Sequence, residues 1–204
     1  MSDGFALFSD RSVVAMRVNG ELKDLAATLT GTETVEPVHL DSPDGLSILR
    51  HSAAHVLAQA VQRINPQANL GIGPPITDGF YYDFGVEENF TPEDLKAIDK
   101  EMQRIIREGQ RFVRRVVSDE VALVELADEP FKLELVGLKG AASVGDSGES
   151  VEVGAGELTI YDNVNREGET VWKDLCRGPH VPSTRMIGNG WALTRVAGAY
   201  WRGS

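Results

Sequence analysis

The chain has 204 residues, enough for one sizeable domain or for one domain and a small module. Hydrophobic residues make up 42% and charged residues 25%, as in ordinary globular proteins, and no apolar run approaches the length of a membrane span. The net charge of −11 argues against a protein that binds nucleic acid through bulk positive charge. A single cysteine excludes an internal disulfide framework, and the N-terminus lacks the features of a signal peptide, so we expect a cytoplasmic location.

The beginning of the chain predicts a small β-rich module. Residues 1–11 suggest a weakly ordered start, Val13–Val18 has the composition of a strand, and Asn19-Gly20 is a two-residue hairpin turn into a strand at 21–25. A further extended segment is predicted at 34–40. A module of about forty residues is marginal as an independent fold, so we expect it to pack on the rest of the chain.

One long helix is predicted at 42–64. Ser42 suits the N-cap and Pro43 the first helical position. His51 and His55 are four residues apart and therefore lie on one side of the helix, where both imidazoles can reach one ion, water or substrate atom. The apolar residues recur at three- and four-residue steps and are predicted to form one buried face: Leu46, Leu49, Ala53, Val56, Leu57, Ala60 and Ile64.

The rest of the chain alternates between helical and extended patterns. An aromatic strand is predicted at 80–84, a helix between Thr91 and Gly109, a strand at 112–117, a short helix after Ser118 and another helical turn from Pro130. Residues 139–156 are rich in Gly, Ser and Ala and predict a mobile loop, with strands at 157–161, 169–174 and 191–200. Helices followed by strands favour an α+β domain with an antiparallel sheet.

A second concentration of reactive side chains lies far along the chain, at residues 174–180. This segment, DLCRGPH, contains the only cysteine, Cys176, and a third histidine, His180. Together with His51 and His55 these residues form either a tetrahedral donor set for a metal such as zinc or a site that positions a water molecule.

Four segments resemble one family. HSAAH at 51–55, GPPITDGFYYDF at 73–84, DLCRGPHVPST at 174–184 and AGAYWRG at 197–203 are similar to the N-terminal half of bacterial threonyl-tRNA synthetase. The resemblance implies a TGS-like (β-grasp) module at 1–41, shorter at its start than in many family members, and an editing domain at 42–204. The family continues beyond AYWRG into an ATP-dependent aminoacylation core, so we expect no ligase activity from this chain.

The resemblance also implies a reaction. The family's editing domain hydrolyses Ser-tRNA(Thr), the product of mischarging, and its partners are the 3′ end of tRNA(Thr) carrying serine and the rest of the synthetase. Serine lacks one methyl group of threonine, and a methyl group provides only about 1–3 kcal/mol of discrimination, so a second pocket is needed. The chemistry requires an oriented water, stabilisation of an oxyanion and protonation of the ribose oxygen.

Site residues follow from this resemblance. Neutral histidines suit proton transfer, Lys132 corresponds to a lysine that points into the editing site, and Asp174 would orient a histidine or bind the substrate ammonium. Cys176 is a candidate nucleophile, although attack by water is the simpler route for an ester. The candidate catalytic residues are His51, His55, Lys132, Asp174, Cys176 and His180, and the candidate substrate-binding residues are Tyr81, Tyr82, Arg177 and Arg202.

Two alternatives remain open. We expect no cofactor, but His51, His55, Cys176 and His180 have the right types for zinc, which would make the chain a zinc-dependent hydrolase of another small ester. The other alternative is a non-catalytic module that binds tRNA or a protein partner and in which the histidines are structural.

Overall fold

The computed structural model describes residues 1–138 and 157–198 and has an α+β fold with antiparallel sheets, as predicted. The predicted loop at 139–156 lies outside the described residues. The elements in chain order are α1 (Gly4–Leu7), β1 (Val13–Val18), β2 (Glu21–Asp24), β3 (Val35–His39), α2 (Pro43–Ile64), β4 (Asn69–Leu70), β5 (Pro75–Ile76), β6 (Gly79–Phe80), β7 (Phe84–Gly85), α3 (Pro92–Glu108), β8 (Arg111–Val117), α4 (Asp119–Glu125), α5 (Pro130–Gly137), β9 (Leu158–Val164), β10 (Thr170–Leu175) and a 3-10 turn (Thr184–Ile187).

The first sheet is three-stranded and antiparallel, in the order β2-β1-β3. Its hairpin turn has positive φ at Asn19 (51°) and Gly20 (87°), as expected of a two-residue hairpin loop. One face of the sheet has a core of its own, built on Val13, Met16, Val18, Leu25 and Leu29. On the opposite face Val14, Ala15 and Val38 belong to the large core that contains α2 and α3. The sheet therefore packs on the rest of the chain.

Helix α2 crosses the centre of the molecule. The Ser42 side chain accepts a hydrogen bond from the Gly45 amide, so the predicted N-cap is confirmed. The predicted single apolar face is wrong at its ends, because Leu46 (38% exposed) and Ile64 (44%) are at the surface. The middle of the helix is buried on most sides, including its polar residues His51 and His55, since it packs against α3 and two sheets. The helix therefore presents polar side chains to the interior.

The second sheet is antiparallel, in the order β10-β9-β8, and has helices on both faces. Phe112 and Tyr161 belong to the core shared with α2 and α3, whereas Ile160 and Leu175 pack with residues of α4 and α5. The register places Asp174 opposite Tyr161, so both side chains lie on the face of the sheet that meets α2.

Three predictions of local structure are wrong. The aromatic segment at 80–84 is not one strand but belongs to two short strands, β6 and β7, because the chain turns between them to pair with different partners. Residues 191–198 form no strand, and residues 199–204 lie outside the described residues. The N-terminal segment contains a capped helical turn, α1, rather than a frayed start. Among the described helices, none combines the length and the apolar character needed to cross a bilayer.

Candidate active site

The two histidine motifs meet in space although more than a hundred residues separate them. His51 Nε2 lies 3.2 Å from Cys176 Sγ, and His180 Nε2 lies 3.6 Å from the same sulfur. The ring centroids of His51 and His180 are 4.5 Å apart, and those of His55 and His180 are 4.2 Å apart. All four side chains are buried, with relative exposures of 4% or less. We call His51, His55, Cys176 and His180 the histidine cluster.

Two elements position the cluster. Helix α2 projects His51 and His55 from the same side, and the chain leaves β10 at Leu175 to form the segment that carries Cys176 and His180. Gly178 has a φ of 69°, and its backbone amide donates a hydrogen bond of 3.1 Å to Cys176 Sγ. A side chain at Gly178 would collide with the Tyr161 hydroxyl. Glycine is therefore required both by the backbone conformation and by the close approach of Tyr161.

Ser52 determines the tautomer of His180. Its hydroxyl donates to the carbonyl of Ile48 (2.8 Å) and accepts from the Val181 amide (3.1 Å), and it lies 3.0 Å from His180 Nδ1. Because the only hydroxyl proton is used toward Ile48, the remaining lone pair accepts from His180 Nδ1–H. The Nε2 of His180 then carries a lone pair and faces the sulfur of Cys176.

A buried group of charged and hydroxyl side chains adjoins the histidine cluster. The Lys132 ammonium lies 3.1 Å from Asp174 Oδ1, and both side chains are fully buried. Tyr82 donates a hydrogen bond of 2.5 Å to Asp174 Oδ2, and His55 Nε2 lies 3.6 Å from the same oxygen. Asp174 therefore links the ammonium, the phenol and the His55 imidazole.

Burial keeps the imidazoles neutral. It lowers the pKa of His51 to about 4, with a further contribution from the positive charge of Lys132. Burial and the neighbouring imidazoles lower the pKa values of His55 and His180 well below the ordinary value. Burial raises the pKa of Asp174, whereas the charge of Lys132 and the hydrogen bond from Tyr82 lower it. Each neutral imidazole has one nitrogen lone pair that can accept a proton, but the lowered pKa makes it a weaker base than a free imidazole.

An open cleft of about 1290 Å³ lies beside this buried group. Residues of α2, of the segment from β5 to β7 and of the C-terminal segment at 190–198 line it, and many are apolar or aromatic. Among the described residues that line the cleft, Tyr82 is included but none of the three imidazoles is. Because Tyr82 also bonds to Asp174, its side chain forms the wall between the cleft and the buried group.

The structure brings together six candidate catalytic residues and one candidate binding residue. His51, His55, Lys132, Asp174, Cys176 and His180 form one buried group, with Tyr82 at its edge. The other candidate binding residues lie elsewhere: Tyr81 is 36% exposed and lines the cleft, Arg177 is exposed beside the cluster, and Arg202 lies outside the described residues.

Sequence reasoning did not single out four residues that contact the cluster. Ser52 lies next to His51 in the HSAAH motif, and its position was the available signal. The Phe112 ring stacks on His180 with centroids 4.7 Å apart, and Tyr161 meets His180 edge-on at 4.6 Å. Asp24 accepts a hydrogen bond from the backbone of His180. Nothing in the local sequence of Asp24, Phe112 or Tyr161 indicates these contacts.

The histidine cluster also fits a metal ion. Its four donor atoms lie within 4.8 Å of one another. Zinc bonds of about 2.0–2.3 Å in a tetrahedral site separate nitrogen and sulfur ligands by roughly 3.5 Å. Cys176 Sγ lies at similar distances, 3.2 and 3.6 Å, from the Nε2 atoms of His51 and His180. Neither ring nitrogen of the buried His55 has a hydrogen-bond partner among the described residues, so this imidazole has a free donor lone pair. The four residues therefore offer a donor set of the kind that binds zinc.

Comparison with known proteins places these features in context. Residues 151–190 match the family model described as the threonyl and alanyl tRNA synthetase second additional domain. The chain is 75% identical over 209 aligned positions to the threonine--tRNA ligase of Leifsonia xyli subsp. xyli, an alignment that covers 100% of this chain and 30% of the relative. It is 65% identical to the corresponding ligase of Streptomyces griseus (95% of this chain, 29% of the relative) and 60% identical to that of Micrococcus luteus (98% and 30%).

The chain thus spans a little less than a third of the length of these relatives. Both comparisons agree with the resemblance carried by the sequence motifs: the chain is similar along its whole length to a segment of threonyl-tRNA synthetase, and residues 151–190 match the additional domain that threonyl and alanyl tRNA synthetases share.

Proposed function

We propose that this chain is the proofreading part of a threonyl-tRNA synthetase and hydrolyses the ester of Ser-tRNA(Thr). The observation that carries the proposal is the convergence of three neutral imidazoles, a thiol and a buried ammonium–carboxylate pair beside an open cleft. In this proposal residues 1–41 form the TGS-like module and residues 42–204 the editing domain. The partners are the serine-carrying 3′ end of tRNA(Thr) and the rest of the synthetase.

The cleft would admit the substrate. Its aromatic and apolar lining suits the terminal adenosine of a tRNA, since bases stack on aromatic side chains. With the nucleoside in the cleft, the seryl group passes the wall formed by Tyr82 and reaches Asp174. The α-ammonium of serine then pairs with the carboxylate of Asp174, which is held by two other donors, Lys132 and Tyr82.

Proton transfer is assigned to the imidazoles. His180 is held by Ser52 with its Nε2 lone pair directed toward Cys176 Sγ, and there it would accept a proton from the attacking water. His51 presents its Nε2 to the same sulfur atom. The proton then passes to the ribose oxygen as the ester bond breaks. The ammonium of Lys132 stabilises the negative charge that develops on the carbonyl oxygen, an effect that is strong in a buried site of low dielectric constant.

Discrimination against threonine follows from the dense packing of the buried group. Asp174, Cys176 and Lys132 have no exposed surface, so these packed side chains would bound any space that the seryl side chain enters. The methyl group of threonine would have to displace one of these side chains, and overpacking of a dense interior typically costs about 1–3 kcal/mol. Such a pocket would accept serine and exclude threonine, as the second pocket of an editing enzyme must.

A zinc-dependent hydrolase is the second candidate, because the donor set of the histidine cluster fits the metal. In that case His51, His55, Cys176 and His180 would hold zinc, which supplies Lewis-acid activation of water when bound. Elemental analysis of the purified protein separates the two candidates. Stoichiometric zinc that is lost in Cys176→Ser would support the metal enzyme and contradict water chemistry carried out by the imidazoles alone.

The test of the proposed function is deacylation of Ser-tRNA(Thr) compared with Thr-tRNA(Thr). We expect hydrolysis of the seryl ester only, with the rate abolished in His180→Ala. His39→Ala is the matched control, because His39 is the one histidine outside the cluster and is bonded at the surface to Ser12. It should leave the rate unchanged.

A non-catalytic module would give a different pattern. The wild-type chain would then hydrolyse neither ester, while His51→Ala and His55→Ala would lower the melting temperature without any activity to lose. Hydrolysis of both esters at equal rates would contradict the proposed specificity.

A further inference from the structure

We propose that Asp24, the last residue of β2 in the first sheet, is a positioning residue. It holds the segment that carries Cys176 and His180, which we call the His180 segment, in place for the reaction. The first sheet would then contribute a residue that positions His180 in the candidate active site. This inference rests on the proposed function, but part of its test does not depend on hydrolysis.

Both carboxylate oxygens of Asp24 accept hydrogen bonds from residues at the histidine cluster. Asp24 Oδ1 accepts a hydrogen bond of 2.9 Å from the backbone amide of His180. Asp24 Oδ2 accepts one of 2.6 Å from the hydroxyl of Tyr161 on β9. One partly buried side chain therefore joins two segments that are 137 and 156 residues away along the chain.

Tyr161 extends this connection toward the cluster. Its ring meets the His180 imidazole edge-on, with centroids 4.6 Å apart, and its hydroxyl lies against the backbone of Gly178. Burial raises the pKa of Tyr161, and the charge of Asp24 raises it further, so the phenol stays protonated and donates to Asp24. Asp24 thus fixes the ring against which His180 rests.

The His180 segment is clamped from two sides. Ser52 on α2 bonds to the His180 ring and to the Val181 amide, whereas Asp24 holds the His180 amide from the first sheet. Burial raises the pKa of Asp24, whereas the hydrogen bonds from Tyr161 and from the His180 amide lower it. Hydrogen bonds to a carboxylate are stronger than those between neutral groups. Loss of Asp24 would remove the acceptor of the His180 amide and leave the neutral hydroxyl of Ser52 as the partner of the His180 ring and the Val181 amide. We expect His180 Nε2 to be held less firmly at its distance from Cys176.

The test compares Asp24→Ala with Asp24→Asn in the full chain. The side-chain oxygen of asparagine can still accept a hydrogen bond from the backbone amide of His180, and its NH2 group can donate to the Tyr161 oxygen. Asp24→Asn should therefore keep the His180 segment in place. Arg17→Met is the matched control, because Arg17 pairs with Asp44 at 2.5 Å and ties the same sheet to the start of α2, away from the His180 segment.

The first readout is hydrogen exchange of the His180 amide. In Asp24→Ala we expect it to accelerate by about tenfold or more relative to amides in the middle of β1 and α3, because its acceptor is gone. Asp24→Asn should remain within about threefold of wild type, since its acceptor is retained. Arg17→Met should show no selective change at His180. Uniform acceleration in Asp24→Ala, or an equal effect of Arg17→Met, would overturn the proposal.

The second readout is the kinetics of Ser-tRNA(Thr) hydrolysis. We expect Asp24→Ala to lower kcat by about tenfold, with KM within about twofold, because misplacement of a catalytic group affects the chemical step. Asp24→Asn should recover most of kcat. Full kcat in Asp24→Ala would refute the positioning role. If the wild-type chain hydrolyses no ester, the proposed function fails, and the exchange experiment alone decides the role of Asp24.

Discussion

The buried pair of Lys132 and Asp174 provides the sharpest quantitative test. Lys132→Met removes the ammonium and leaves a carboxylate without its cation in an interior where neither side chain is exposed to solvent. At the observed 3.1 Å, and with an effective dielectric constant of about 20, the attraction is about 5 kcal/mol. Breaking a buried pair on one side typically costs about 3–5 kcal/mol. We therefore expect the melting temperature to fall by roughly 6–20 °C.

The pH dependence of this loss has a definite sign. Burial already raises the pKa of Asp174, and Lys132 opposes that rise, so the pKa increases further in Lys132→Met. A carboxyl group whose folded pKa lies above its unfolded value lowers stability above the folded pKa, and that penalty disappears as the pH falls. The deficit of the variant relative to wild type should therefore be smaller at about pH 5 than at about pH 8.

Urea unfolding of the single and double variants completes this experiment. Lys132→Met with Asp174→Asn removes both charges, so the double variant should recover about 2 kcal/mol or more relative to the sum of the single changes. Lys23→Met is the control: Lys23 pairs with Glu21 at 3.7 Å on the surface, and its loss should cost less than about 1 kcal/mol. If the loss of unfolding free energy in the double variant equalled the sum of the losses in the two single variants, the reasoning would be refuted.

Three further predictions concern individual side chains. Tyr82→Phe removes the 2.5 Å hydrogen bond to Asp174 and should lower the hydrolysis rate by about tenfold, measured with Ser-tRNA(Thr). Burial lowers the pKa of His51 to about 4, so its contribution to stability is present above pH 6.5 and is lost as the pH falls toward 4. In that pH range His51→Gln should reduce the slope of the unfolding free energy against pH by about 1.4 kcal/mol per pH unit. Gly178→Ala should slow hydrolysis far more than Gly168→Ala, because both residues have positive φ (69° and 87°) but only at Gly178 is the added methyl group obstructed.

Specific results would contradict these three predictions. If Tyr82→Phe hydrolysed Ser-tRNA(Thr) at the wild-type rate, the hydrogen bond from Tyr82 to Asp174 would have no role in the reaction. An unchanged pH slope in His51→Gln would mean that the imidazole is not held neutral by burial. Equal effects of the two glycine substitutions would show that backbone strain alone, and not the contact at Gly178, governs the segment.

The regular elements were largely predictable because their signals are local. Ser42 caps α2, Gly109 ends α3 with a left-handed φ of 65°, and Asn19-Gly20 forms the hairpin turn. The aromatic segment at 80–84 was assigned to one strand because aromatic residues favour strands, but pairing with β4 and β5 divides it. Pairing partners are decided by tertiary structure, which no local window contains.

The site was predictable only in part for the same reason. The spacing of His51 and His55 placed both imidazoles on one side of a helix. The residue types at Cys176 and His180 joined them to the same candidate site, and the structure brings the four side chains together. The contribution of Asp24 depends on how the first sheet packs against β9, which periodicity does not reveal. Burial of the whole group depends on the core that surrounds α2.

The core shared by the first sheet and α2 has a consequence for how this chain can vary in evolution. Val14 and Ala15 of β1 and Val38 of β3 pack in the same apolar cluster as Val56 and Ala60 of α2. A lineage that lost or exchanged the N-terminal sheet would uncover this apolar surface and would need compensating substitutions along the helix that carries two of the three clustered histidines. The sheet and the helix are therefore expected to be inherited together rather than to recombine as separate units.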